Sequence, residues 1–288
     1  MLTLDRLSAG RAGWNVVTTA SPAVGANFGI TDDLDRDSRY RRAHEVVATV
    51  ERLWTEAGTS PQGRPAIVQA GGSAEGRRLA GERADAVFTA EMTLDAALEH
   101  YRVVKEHAVR AGRRPSDVSI LPGFALVIAA TEREAIDAFD AWEARGPVGY
   151  TQDRLSGILG VDVGTLDLDA PLPAEIGEVP ADPVNFPASL SFRATTVRFA
   201  RERGLTVREL LRAYGGYGHP IIVGTPERVA DTLSEWFLAG AADGFNLMPD
   251  VLPDGLTTLV DEVLPLLRAR GLFRHEYEAP TLRGRLRG

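Results

Sequence analysis

The sequence predicts a parallel α/β fold, and three observations carry that prediction. Short apolar runs alternate with segments of helical periodicity along the chain. Several runs are apolar throughout, as strands buried on both faces of a parallel sheet are. Small residues and hydroxyls cluster at strand ends, where parallel folds place their ligands. Strands separated by helices pair in parallel through right-handed crossovers. A barrel and an open doubly wound sheet both satisfy that rule.

The first strand is expected over 14–18, in GRAGWNVVTT, which places Trp14 and Asn15 at the entrance of a buried strand. A helix follows over 38–56, with Val46, Val47, Val50, Leu53 and Trp54 on one face. AIVQA (66–70) is a continuous apolar strand, 74–84 a short helix and AVFTA (86–90) the next strand. Thr93 caps a long helix that stops before Gly112. Residues 118–130 read as a strand interrupted at Pro122-Gly123. Thr131, with Glu134 three residues on, opens a helix with a capping box.

From 146 to 187 the chain is rich in Pro, Gly and Asp, with an amphipathic piece near Arg154 to Leu159. So long an excursion inside an α/β pattern predicts a lid or active-site insertion. Helices resume over 188–203 and 207–214. IIVGTPERVADTLSEWFLAG then gives an extended piece, a Thr225 cap, Pro226 at the first helical position and Gly240 as the stop. GFNLM (244–248) is a further strand and 256–270 the closing helix, followed by a tail. This reading holds five confident strands, against the eight of a complete (β/α)8 barrel.

Composition narrows the function. The net charge of −8 over 288 residues supplies no basic field for nucleic acid or anionic lipid. There are no cysteines, which excludes disulfides, thiolate metal sites and a Cys nucleophile. The histidines, at 44, 100, 107, 219 and 275, include no i, i+4 pair, so no helical metal pair is expected. The longest apolar run, FALVIAA, is too short to span a bilayer, and Asp5 and Arg6 stand where a signal peptide would be apolar. A cytoplasmic protein is expected.

AIVQAGGSAEGRR is the strongest candidate site. A strand ends, Gly71 and Gly72 permit close backbone approach, and Ser73 leads into a helix whose first amides are unpaired. That order suits a phosphate; it equally suits a tight turn with Ser73 as an ordinary N-cap. Glu75 replaces the glycine that a nucleophile elbow needs, and Gly71-x-Ser73 breaks the dinucleotide-binding fingerprint. Arg36 and Tyr40 are four apart and share a helix face if that helix starts early, either to hold an anion or as part of a solvated helix start. His219 lies in the glycine-rich loop GGYGHP, as a site residue or a structural one. Asn15, polar beside a buried strand, must find partners.

Taken together, GRAGWNVVT, the RY of DRDSRY, SPQGRPAIVQAG-x-S, AVFTA, IIVGTPERVAD and GFNLMP resemble the flavin-dependent monooxygenases of the bacterial luciferase superfamily. The nearest branch contains nitrilotriacetate, dibenzothiophene-sulfone and long-chain alkane monooxygenases. The resemblance runs from about Leu4 into the tail GLFRHEYEAPTLR. It implies a TIM-type (β/α)8 barrel, read as one domain over 1–288 with the excursion at about 146–187.

The resemblance further implies FMN, reduced by a separate NAD(P)H:flavin reductase, with O2 oxygenating a small organic substrate. By the same resemblance Gly72 and Ser73 match the phosphate-binding turn and Tyr40 a flavin-contacting Tyr. Arg36 stands where the family has His. Asn15 matches a chamber Asn and His219 a loop His near the flavin.

Two departures stand out. The family places three barrel strands before GRAGWN, and an insertion between the LW of ERLW and SPQGRP. An incomplete barrel with N-terminal strands missing is therefore expected, and a homo-oligomer that hides the open edge. A flavin- or deazaflavin-dependent oxidoreductase of the same superfamily and a catalytically impaired homologue are the alternatives.

Overall fold

The computed structural model describes residues 1–18, 22–29, 35–145, 150–183, 186, 190–214 and 218–287. A short helix α1 (Leu2–Leu7) precedes β1 (Gly13–Val16), α2 (Pro22–Ala26) and α3 (Arg36–Glu56). Then β2 (Ala66–Gln69), α4 (Ala74–Arg83), β3 (Ala86–Thr89), α5 (Leu94–Arg110) and β4 (Ser119–Ile128) alternate. Helices α6 (Glu132–Arg145), α7 (Tyr150–Leu159), α8 (Leu190–Glu202) and α9 (Val207–Tyr214) follow. The chain returns through β5 (Ile221–Gly224), α10 (Pro226–Leu238) and β6 (Asn246–Pro249). It closes with α11 (Asp254–Thr258), a π turn over Leu259–Val263, α12 (Leu264–Ala269) and α13 (Leu282–Arg287).

Every pairing in the six-stranded sheet is parallel. Its path runs β1-β2-β3-β4-β5, and β6 also pairs with β4. The length of β4 makes this possible. Residues 119–122 pair with β3, 125–128 with β5 and 123–126 with β6. The last two registers overlap, so β5 and β6 hold opposite edges of β4. The sheet curls as a half-barrel, and among the described residues nothing pairs the outer edge of β1.

The caps follow the sequence chemistry. Thr93 accepts from Ala96 N at 3.2 Å, and Thr225 accepts from Arg228 N at 3.4 Å with Pro226 at N1. Asp35 accepts from Ser38 N at 2.8 Å, which starts α3 at Arg36, earlier than the apolar periodicity indicates. Glu134 N donates to Thr131 Oγ1 at 3.2 Å, as the capping-box reading expects.

Four expectations are corrected. The strand at Pro122-Gly123 is continuous, because the Pro122 position pairs with Thr89 without needing an N–H of its own. The extended piece after His219 is a sixth strand, β5. The closing helix is broken by a π turn that precedes Pro265, whose ring nitrogen cannot donate. The tail is not free: α13 packs back across the chain, with Leu282 N donating to Gly10 O at 2.8 Å and Arg283 N to Gln62 Oε1 at 2.9 Å.

Three apolar clusters form the core. One joins β1–β3 to α3, α4 and α5 around Val47, Ile67, Leu79, Val87 and Val104. A second joins β4 and β5 to α10 and the closing helices around Phe124, Leu126, Leu233 and Trp236. The third joins the excursion to α8 and α9. Leu155, Leu159, Val163, Val197 and Leu210 pack together, and Met92 from the β3–α5 loop joins them. The excursion thus shares a core with α8 and α9, seated beside the end of β3.

Candidate functional site

The C-terminal ends of β2 and β3 open into a cleft of ≈ 1140 Å³. Gly72, Ser73 and Arg77 line it from the β2–α4 side, and Phe88, Thr89 and Glu91 from the end of β3. Residues of α5 and of α8 complete its walls. Its position follows from the parallel sheet, since all these strands point their carboxyl ends the same way.

Gln69, 3% exposed at the end of β2, accepts from Gly71 N at 2.6 Å through Oε1 and so bends the chain away from the sheet. Ser73 then caps α4, its Oγ accepting from Gly76 N at 3.1 Å. The cap uses an oxygen lone pair, so the hydroxyl proton is still available to an acceptor in the cleft. The Ala74 amide at N1 has no acceptor within the helix, and the helix dipole favours an anion there. The ordinary cap and the anion cradle are compatible.

Tyr40 reaches the same turn from α3. It is buried, and its hydroxyl lies against both Gly71 and Gly76: a methyl group on either would stand 2.5 Å or 2.8 Å from it. The two glycines are therefore required by close approach. Tyr40 thus lies beside the turn that holds Gly72 and Ser73. Arg36 lies in the first turn of α3, one turn before Tyr40, and its side chain is outside the described residues.

His219 sits apart from the Gly71-Gly72-Ser73 turn, against Phe88 of β3. Its ring stacks on Phe88 with centroids 5.0 Å apart and planes tilted by 44°. Nδ1 is buried without a hydrogen-bond partner among the described residues and faces Gly123. Burial, and secondarily the charge of Arg154, lowers its pKa from the ordinary histidine value, so the neutral ring is favoured. Phe88 lines the cleft as well, so it links the two groups.

Asn15 is exposed on β1, on the face opposite Trp14 and Val16, which pack into the first core cluster. Sequence reading also missed Arg77, Thr89, Glu91 and His100, which meet on the cleft wall. Their signal was faint: His100 falls in an amphipathic helix, and nothing local pairs it with Glu91. Among the described residues no group of three or more His, Asp or Glu side chains is placed to hold a metal. No described helix is long and apolar enough to cross a membrane.

A curled parallel sheet with a phosphate-suited turn at its carboxyl end defines an α/β-barrel type of protein. The family model for luciferase-like monooxygenases matches residues 1–243, and the chain belongs to that family. It is 37% identical to N-acetyl-S-(2-succino)cysteine monooxygenase of Bacillus subtilis (strain 168), over 98% of this chain and 71% of the relative. It is 36% identical to nitrilotriacetate monooxygenase component A of Aminobacter aminovorans, over 99% and 70%. Among solved structures, a riboflavin lyase with modified FMN and riboflavin superposes with a TM-score of 0.80 at 29% identity, over 100% of this chain and 70% of that one. The first alignment runs over 322 residues, more than the 288 of this chain, so this chain lacks segments inside the matched region. That is in keeping with the missing insertion. The monooxygenase branch is favoured, and the protein is by class a flavin-dependent monooxygenase, an oxidoreductase.

Proposed function

We propose that the chain binds FMN through the β2–α4 turn and takes it reduced from a separate NAD(P)H:flavin reductase. The observation that carries this is the Gly71-Gly72-Ser73 turn at the head of α4, with the Tyr40 hydroxyl packed against it. The residues fit the group: amides at a helix N-terminus, a hydroxyl and glycines that let a phosphate approach. Bound and reduced, FMN supplies the activation of O2 that oxygenates a small organic substrate, the second oxygen leaving as water.

The chain's own part is binding, orientation and shielding. Ser73 and the Gly72 amide hold the phosphate. Tyr40 fixes the turn, and Arg36 supplies a cation from the start of α3. His219, neutral and resting on Phe88, presents imidazole to the chamber without adding a charge that would draw in water. Asn15 lines the chamber side of β1. The excursion packs with α8 and α9 against Met92, and this unit, through α8, walls the cleft and keeps water from a reactive cofactor. We read the chain as a single domain acting in the cytoplasm, in keeping with its lack of cysteine. Its partners are O2, the substrate and the reductase, with neither nucleic acid nor membrane involved.

Isothermal titration with FMN, oxidised and anaerobically reduced, tests the assignment. Ser73→Ala removes one hydrogen bond and should weaken binding several-fold. Ser73→Asp places a carboxylate against the phosphate and should weaken it much further. Wild-type affinity in both variants would remove Ser73 from the site.

A further inference from the structure

Helix α5 has two unlike faces. One buries Ala97, Val104 and Ala108 in the core. On the other, Leu98, Glu99, Arg102, Glu106, Val109 and Arg110 follow one another at helical spacing and form a single stripe. The stripe lines an open groove of ≈ 800 Å³, bounded by Gly240 on the turn between α10 and β6. Val109 is 55% exposed there, and Leu238, two residues before Gly240, is 71% exposed.

The charges of the stripe alternate in sign along the helix. Arg102 bonds Glu99 at 2.8 Å and also pairs with Glu106, which Arg110 reaches at 3.2 Å. Exposed pairs of this kind add little stability, and each guanidinium and carboxylate keeps donors or acceptors for a second partner. Pairing within the helix accounts for the charges but not for the apolar groove that they rim.

An alternating stripe is complementary to its own reverse. When a second α5 lies antiparallel on the first, Glu99 meets Arg110 of the second copy and Arg102 meets its Glu106. In the same register Leu98 meets Val109 of the second copy, so apolar contacts flank the charged centre. The three pairings share one centre, between residues 103 and 105. They agree to within one residue, about 1.5 Å along the axis. Sliding either helix by one turn instead sets Glu99 against Glu106, or Arg102 against Arg110, and like charges facing each other oppose association.

We propose that the outer face of α5 is an interface with a second copy of this chain, the two helices packing antiparallel about a two-fold axis near residue 104. Such a contact is closed and self-complementary. It is separate from the open edge of β1, because α5 follows β3, two strands in from that edge. Asp95 and Glu99 line both this groove and the cleft, so the second copy borders the cleft.

Sedimentation velocity of the full chain at micromolar to submillimolar concentration tests the interface. Every chain carries Val17→Lys, which keeps pairing at the β1 edge out of the measurement. The parent should dimerise. Arg102→Glu alone brings carboxylates together at both central contacts, and Glu106→Arg alone brings guanidinia together. Each should weaken the dimer by about tenfold or more. Both positions are on the helix surface, so thermal melts should stay close to the parent's. An equal mixture of the two variants should dimerise again, because both central contacts then join opposite charges. A parent that stays monomeric overturns the proposal. Single variants that associate as the parent does overturn it too, and place the contact on another surface. A mixture that stays monomeric overturns the antiparallel register.

Discussion

His219 shows how burial sets the state of a single residue. Its ring is stacked on Phe88 and its pKa is lowered, first by burial and then by Arg154. In the unfolded chain a histidine titrates near pH ~6.5. Above that value both states are neutral and the full stability is present. As pH falls, the unfolded chain takes up a proton first, so stability is lost down to the lowered folded pKa. His44 and His107 are lowered in the same direction, so the wild type carries contributions from all three. His219→Gln should therefore flatten, without abolishing, the loss of stability between pH 7.5 and 5. Urea melts at these two pH values measure it, and an unchanged slope would mean that the ring is solvated.

At the scale of elements, Asp85 ties the closing helix to the sheet. It is fully buried at the amino end of β3 and accepts from Ile67 N at 2.9 Å. Arg64 reaches it at 2.6 Å, and Arg283 and Arg287 of α13 at 3.0 Å and 3.4 Å. One carboxylate thus holds guanidinia from a loop and from the far end of the chain. Burial lowers the pKa of Arg283, a sign of how far that helix is drawn in. Replacing one partner of such a network leaves the remaining charges uncompensated. Asp85→Asn should destabilise the fold by about 3–5 kcal/mol and release α13. Urea denaturation together with amide exchange over 282–287 checks both. A loss below about 1 kcal/mol would show that the guanidinia are satisfied by water.

At the scale of the molecule the open sheet is the governing feature. β1 pairs with β2 on one edge, and its other edge has no partner among the described residues. Val17, next after β1 in the chain, is 70% exposed. An unprotected edge of this kind is a template for pairing with another chain. We expect self-association through β1, weakened by Val17→Lys, which puts a charge beside the edge. Light scattering at micromolar concentration tests it. A strictly monomeric species with a sharp cooperative melt would show that the half-barrel is self-sufficient.

The alternation of strand and helix, the caps at Thr93 and Thr225 and the Gly-Gly-Ser turn were legible in the sequence. Each depends on residues within a few positions of one another. Tyr40 beside that turn was legible only through resemblance, since more than thirty residues of chain separate them. Tertiary structure decided the rest. It set Asn15 on the exposed face of β1, opposite Trp14 and Val16, because those two pack against the helices. It set His100 against Glu91 from different elements, and brought Arg283 to Asp85 from opposite parts of the chain. Local patterns fix which backbone hydrogen bonds a segment can make with itself. Which charges and hydroxyls share a wall is fixed only when the sheet curls and sets distant segments side by side.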